Sequence, residues 1–135
     1  MGFNAMPYVE AALARAGMDQ AAMRQVPRVN TPAPPFEEVF DPKKIGGPSM
    51  WKGQPSFMYT YTLAQGAPDD RVGRSKLVLY EDGKPLGPAH NAHIDTMENG
   101  MGRWSHWGAR SIQFSTSDNS DPRTNGRQYK IVNPE

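Results

Sequence analysis

The chain has no cysteine, which excludes disulfides, thiolate metal ligands and thiol catalysis together. It fits a reducing compartment and tolerates an oxidising one. It has no run of 18 apolar residues, which excludes a membrane-spanning helix. Charge of one sign is also missing. The net charge is +1, and residues 1–55 carry 6 basic and 5 acidic side chains against 9 and 9 in residues 56–135. A chain balanced in this way exerts no bulk pull on nucleic acid or an anionic membrane, so neither is an expected partner. The opening Met-Gly-Phe-Asn-Ala-Met-Pro lacks the basic segment and apolar core of a secretory leader. Met6 stands where a myristoylation signal has Ser or Thr. These absences do not fix a location and leave it open, cytoplasmic or virion-associated.

Catalytic signatures are equally scarce. There is no Gly-x-Ser-x-Gly elbow and no glycine-rich phosphate loop. Ser105 and His106 are adjacent, which is not a nucleophile–base geometry. The acidic pairs Asp69-Asp70 and Glu81-Asp82 fall in turns, where solvation is the expected reason for them. An enzyme is therefore not expected, and no cofactor is implied.

What the chain does have is 13 glycines and 13 prolines against 37% hydrophobic residues, a balance that favours strands and turns over a helical bundle. Its character changes near residue 55, because 8 of the 13 prolines precede that point. Tyr8 to Val26 reads as helical, with Val9, Ala12, Leu13 and Ala16 on one face, a break at Gly17 and Asp19 as a second N-cap. Asn30 to Pro55 reads as a proline-rich strap carrying Phe36, Val39, Phe40, Ile45, Met50 and Trp51. A solvated linker has no use for such anchors. They press either on this chain or on a neighbour, with Phe36, Phe40 and Trp51 as the candidate partner-docking residues.

From Ser56 the period switches to two. Phe57, Tyr59, Tyr61 and Leu63 share one strand face, and Leu77 and Leu79 face away from Val78 and Tyr80. Glu81-Asp-Gly-Lys84 supplies a hairpin turn, and Asn99-Gly100 and Asn125-Gly126 offer two more. Ser111–Ser115 and Arg127–Val132 complete the set. Five or six short strands without crossover helices predict a mainly β fold: an antiparallel, jelly-roll-like β-sandwich over 56–135, preceded by a helix and extended arm over 1–55.

Three constellations could carry function. His90, His93 and His106 fall within 17 residues and with Asp95 and Glu98 could ligate a metal, although His-x-x-His alone is a weak signature; no metal is assigned. Trp104-Ser-His-Trp107, if extended, sends Trp104 and His106 one way and Trp107 the other, so that one indole is core and one is free to stack on a ligand. In Ser115–Arg127, Asp118, Asn119 and Asp121 alternate oxygens as calcium loops do, but Arg123 and Tyr129 stand where such a loop needs Gly and Glu. There Arg123 and Arg127 either clamp the loop from within or meet a ligand.

The block Ser75-Lys-Leu-Val-Leu-Tyr-Glu-Asp-Gly-Lys-Pro-Leu-Gly-Pro-Ala-His90, then Gly102-Arg-Trp-Ser-His-Trp-Gly108 and Phe114-Ser-Thr-Ser-Asp-Asn-Ser-Asp-Pro-Arg-Thr-Asn-Gly-Arg127, resembles a small β-rich accessory module. Such modules are appended to bacterial methyltransferases and glycosyltransferases of surface-polysaccharide pathways. The resemblance spans about residues 56–132 and implies a β-sandwich that binds carbohydrate; it carries over no site residues. Here a helical, proline-rich segment stands in place of an enzyme domain. The expectation is thus a non-catalytic glycan-recognition module using Trp104, His106, Trp107, Asp118, Asn119, Asp121, Arg123 and Arg127. The alternative is a subunit that decorates a virion or surface layer and oligomerises or docks through its N-terminal arm. A metal-dependent enzyme using the three histidines comes last.

Overall fold

Side chains along a strand point alternately to opposite faces, and this chain follows that rule closely. Tyr59, Tyr61 and Leu63 are buried while Thr62 and Ala64 are exposed, but Phe57, expected on the same face, is exposed and its neighbour Met58 is buried. Leu77 and Leu79 are buried beside half-buried Val78 and Tyr80, and Ile112, Phe114, Tyr129 and Ile131 are almost wholly enclosed. The structure, a computed structural model, describes residues 33–134. The helix expected over Tyr8–Val26 lies outside them.

The elements are β1 (Phe36–Val39), a 3-10 turn (Pro42–Lys44), β2 (Met50–Trp51), β3 (Gln54–Pro55), β4 (Tyr59–Thr62), β5 (Val78–Glu81), β6 (Lys84–Pro85), α1 (His93–Asn99), β7 (Trp104–His106), β8 (Ser111–Phe114) and β9 (Tyr129–Asn133). They form a four-stranded sheet β1-β9-β5-β6, a three-stranded sheet β4-β8-β7 and the small hairpin β2-β3. Every strand pairing among the described residues is antiparallel, so the fold is mainly β, as composition and periodicity imply. Phe114 of β8 joins the two larger sheets through its ring, 5.5 Å from that of Tyr129 on β9 and 5.6 Å from that of Phe40.

Of the two expectations for the strap, residues 33–55 meet the one in which its anchors press on this chain. β1 pairs with β9 in the register Val39↔Lys130 to Phe36↔Asn133, and Phe40 and Ile45 belong to the core. The Phe40 ring stacks on Tyr61 at 3.9 Å. Phe36 packs against the same core, and the Trp51 indole donates to Glu98 of α1 at 2.7 Å. The three residues expected to grip a partner make these contacts within the chain. Val39 and Met50 stay exposed.

Of the three expected turns, Asp82-Gly83 behaves as read. Both residues have positive φ, 48° and 83°, the geometry whose twist suits the β5–β6 hairpin. Asn99-Gly100 instead ends α1, a helix the sequence reading lacked, with the Gly100 N–H bonded to the Thr96 carbonyl. Gly100 has φ 58°, and a Cβ there would lie 2.0 Å from Asn119 Oδ1. Only glycine therefore lets α1 meet the polar loop at this point. At Asn125-Gly126 only the glycine has positive φ, and Asn125 is turned to donate to the Tyr129 hydroxyl.

Candidate functional site

β7 is covered on both sides. Trp104 is 2% exposed, pairs with Phe114 and donates its indole N–H to the Leu86 carbonyl at 3.2 Å. His106 is 0% exposed; Nε2 lies 2.8 Å from the Ala109 carbonyl and Nδ1 2.7 Å from Ser75 Oγ. A carbonyl only accepts, so Nε2 carries the proton and Nδ1 accepts from the Ser75 hydroxyl. Burial drives the imidazole below its ordinary pKa, against the pull of the Ala109 bond and of Asp69 and Asp70. Trp104 and His106 are thus interior residues and are removed from the expected ligand surface. With both ring nitrogens engaged, His106 also leaves the three-histidine set.

Trp107 is different: its side chain is 48% exposed. Its backbone is bracketed by the Gln113 amide, which accepts from the Trp107 N–H at 3.0 Å and donates to its carbonyl at 3.2 Å. Ser105 and Ser111 hold that amide in turn. Gly108 follows at φ 113° and donates to Asp69. The main chain is fixed and the indole is left outside.

Asp69, Asp70 and Glu81 correct the reading that the acidic pairs are merely solvated, whereas Asp82 stays exposed in its turn. Asp69 is 3% and Glu81 8% exposed. Asp69 receives Arg71 through backbone and side chain, and the Gly108 N–H. Burial would raise its pKa, but the Arg71 bonds and charge win and hold it down. Asp70 gathers the N–H groups of Ser75 at 2.9 Å and His106 at 3.0 Å, and His90 Nδ1 at 2.7 Å. Because the carboxylate only accepts, His90 carries its proton on Nδ1 and leaves Nε2 as the second working atom. His90 itself has φ 64°, an uncommon conformation for a residue other than glycine. The segment beside it is laced to β7, with Trp104 N–H on the Pro88 carbonyl and Asn91 N–H on the Trp104 carbonyl.

These groups line one cleft of about 640 Å³, formed by Asp70, Gly73, Arg74, His90, Asn91, Ala92, His93, Ile94 and Trp107. The His93 ring sits edge-on to Trp107, 6.2 Å between centroids, and His93 Nε2 is buried without a hydrogen-bond partner. The cleft therefore combines an indole face, two imidazoles, an amide and a guanidinium. Its walls include no Ser, Thr, Cys or Lys to serve as a nucleophile. Among the described residues no group of three His, Asp or Glu side chains is placed to hold a metal ion. Of the residues singled out from sequence, the cleft brings together Trp107, His90 and His93. Asp70, Arg74 and Asn91, which were not among the candidate site residues, line the same cleft; for Asp70 the sequence disguises a half-buried acceptor as a turn residue.

The polar loop is elsewhere and is bonded to itself. Asp118 takes Arg127 through both oxygens at 2.9 Å, and Asp121 takes Arg123 at 3.0 and 2.8 Å. Asn119 accepts the Met101 N–H. Arg127 holds Asp118 far below the usual carboxylate range, and Arg123 lowers Asp121. Of the two readings of this loop, the internal clamp is the one these bonds describe.

Burial of His106 has a consequence for stability. Its folded pKa lies below the ordinary 6.5, so the unfolded chain takes up this proton at higher pH than the folded chain does. Its contribution is complete above about pH 6.5 and is lost as pH falls from there through the lower folded pKa, with a slope of at most ~1.4 kcal/mol per pH unit. Asp69 and Glu81, whose ordinary values are 3.8 and 4.5, are also held low, so a further loss follows below about pH 4.5. Urea unfolding from pH 8 to 3 is expected to show both declines. His106→Gln should flatten the upper one; an unchanged slope between pH 5 and 6.5 would contradict this assignment. No protein-family model, curated protein or solved structure matches the chain.

Proposed function

We propose that this chain is a non-catalytic recognition domain that binds carbohydrate in the Trp107 cleft. The observation that carries the proposal is a half-exposed indole on a backbone locked by Gln113, facing a cleft lined by Asp70, Arg74, His90, Asn91 and His93. Sugar rings present apolar C–H faces that stack on indole, and their hydroxyls need donors and acceptors of the kind these side chains supply. The cleft has the volume usual for small-ligand sites. Pre-organisation keeps the ordering cost of binding low.

The two larger sheets, joined through Phe114, Tyr129 and Phe40, are read here as the two layers of a β-sandwich. The sequence resemblance to accessory modules of surface-polysaccharide enzymes points to the same class of ligand. The polar loop then acts by stiffening the frame. The decoration-subunit alternative loses the grip of Phe36, Phe40 and Trp51 and would depend on residues 1–32.

Trp107→Ala tests the reading. On a glycan array followed by calorimetry, the substitution is expected to weaken binding at least about thirtyfold, the ~2 kcal/mol of a binding hot spot. Full retention of affinity by Trp107→Ala would move the site elsewhere.

A further inference from the structure

Among the described residues six arginines occur, and five of them are engaged. Arg71 is paired with Asp69, Arg123 with Asp121 and Arg127 with Asp118; Arg103 and Arg110 donate to the carbonyls of Gly100 and Leu63. Arg74 has no hydrogen bond or ion pair among the described residues, and it lines the cleft that holds Trp107. The carboxylate in the same cleft does not take it. Asp70 is already enclosed by His90 Nδ1 and the N–H groups of Ser75 and His106. A second group in the cleft also lacks a partner: His93 Nε2 is buried and bonded to nothing, beside the Trp107 ring. An unsatisfied buried nitrogen calls for a partner that the protein does not supply.

We infer that the cleft selects acidic sugars, with the carboxylate of a uronic acid on Arg74 and the ring on Trp107. This inference rests on the glycan reading and narrows it. The guanidinium is planar and presents a fixed fork of N–H donors that a carboxylate meets through both oxygens. A neutral sugar would leave that fork to water. The Trp107 indole accounts for affinity to a ring, and Arg74 accounts for preference among rings.

The test titrates the full chain with galacturonic- and glucuronic-acid oligosaccharides, their carboxyl-reduced neutral counterparts, and sulfated neutral oligosaccharides. The acids are expected to bind about tenfold tighter than the reduced forms, equivalent to ~1.4 kcal/mol. Arg74→Gln should bring that ratio close to one. Lys84→Gln, which removes the same charge from outside the cleft, should leave the ratio as it is. Thermal melting of both variants checks that the fold is intact. Equal binding of acidic and reduced sugars, or a ratio that survives Arg74→Gln, overturns the inference while the glycan reading stands. Binding of the sulfated sugars alone overturns the carboxylate assignment. Binding of no sugar, charged or neutral, overturns the glycan reading along with it.

Discussion

Trp104→Ala is expected to remove about 3–5 kcal/mol of stability, the range for deleting a fully buried large aromatic side chain. Trp107→Ala, three residues on, should change stability by less than about 0.5 kcal/mol, as exposed substitutions do. The contrast follows from their settings. Trp104 lies opposite Phe114 with its indole N–H on the Leu86 carbonyl, so truncation leaves both a cavity and an unpaired carbonyl. Trp107 is held through its backbone, whose bonds alanine keeps, and its half-exposed indole meets the His93 ring edge-on. A loss of 3–5 kcal/mol is a large share of the 5–15 kcal/mol that holds a typical domain together. Urea denaturation of the two variants measures the difference. Equal losses would show that β7 does not separate an inner from an outer tryptophan.

Glu81→Ala is expected to be nearly as damaging, at about 3 kcal/mol or more. The Glu81 carboxylate accepts from the Tyr129 hydroxyl at 2.6 Å and from Ser117 through both Oγ and N–H, and Arg127 lies 3.5 Å away. Burial alone would raise its pKa, but the bonds from Ser117 and Tyr129 hold it below its ordinary value. Alanine would leave buried donors with no acceptor, and that desolvation penalty, more than the lost bonds, sets the cost. Glu81→Gln keeps the volume and one acceptor, so an intermediate loss of about 1–2 kcal/mol is expected. It should also remove the Glu81 share of the acid-induced decline. Chemical denaturation at pH 7 and pH 4 checks both. A surface-like loss under 0.5 kcal/mol for Glu81→Ala would mean that the network does not tie the polar loop to the sheet.

The strand faces were legible because a period of two is a local property. Tyr59, Tyr61 and Leu63, or Ile112 and Phe114, declare their side without reference to anything distant. The Asp82-Gly83 turn was legible for the same reason. The roles of the acidic pairs were not. Several of their donors come from 36 positions away or more, as in His106 to Asp70, Gly108 to Asp69 and Ser117 to Glu81, and only the finished fold brings these together. The alternation across Trp104 and Trp107 could be read, but the sequence carried no sign that β7 would be enclosed on both faces, so His106 was misplaced as a ligand contact. Helix α1 has no side-chain cap and is too short to announce itself by periodicity. The strap offered Phe36 and Phe40 as anchors without saying what they anchor to, and pairing with β9 supplies that answer.

The most direct test of the Trp107 cleft uses the indole N–H signals of the chain's three tryptophans. A nitrogen–proton correlation spectrum, with signals assigned by single substitutions, is recorded while oligosaccharide is added. Trp104 is tied to Leu86 and Trp51 to Glu98, so their signals should stay in place while that of Trp107 shifts and saturates with binding. A sugar that binds while Trp107 stays still, with the response at Trp51 or at none of the three, would contradict the account.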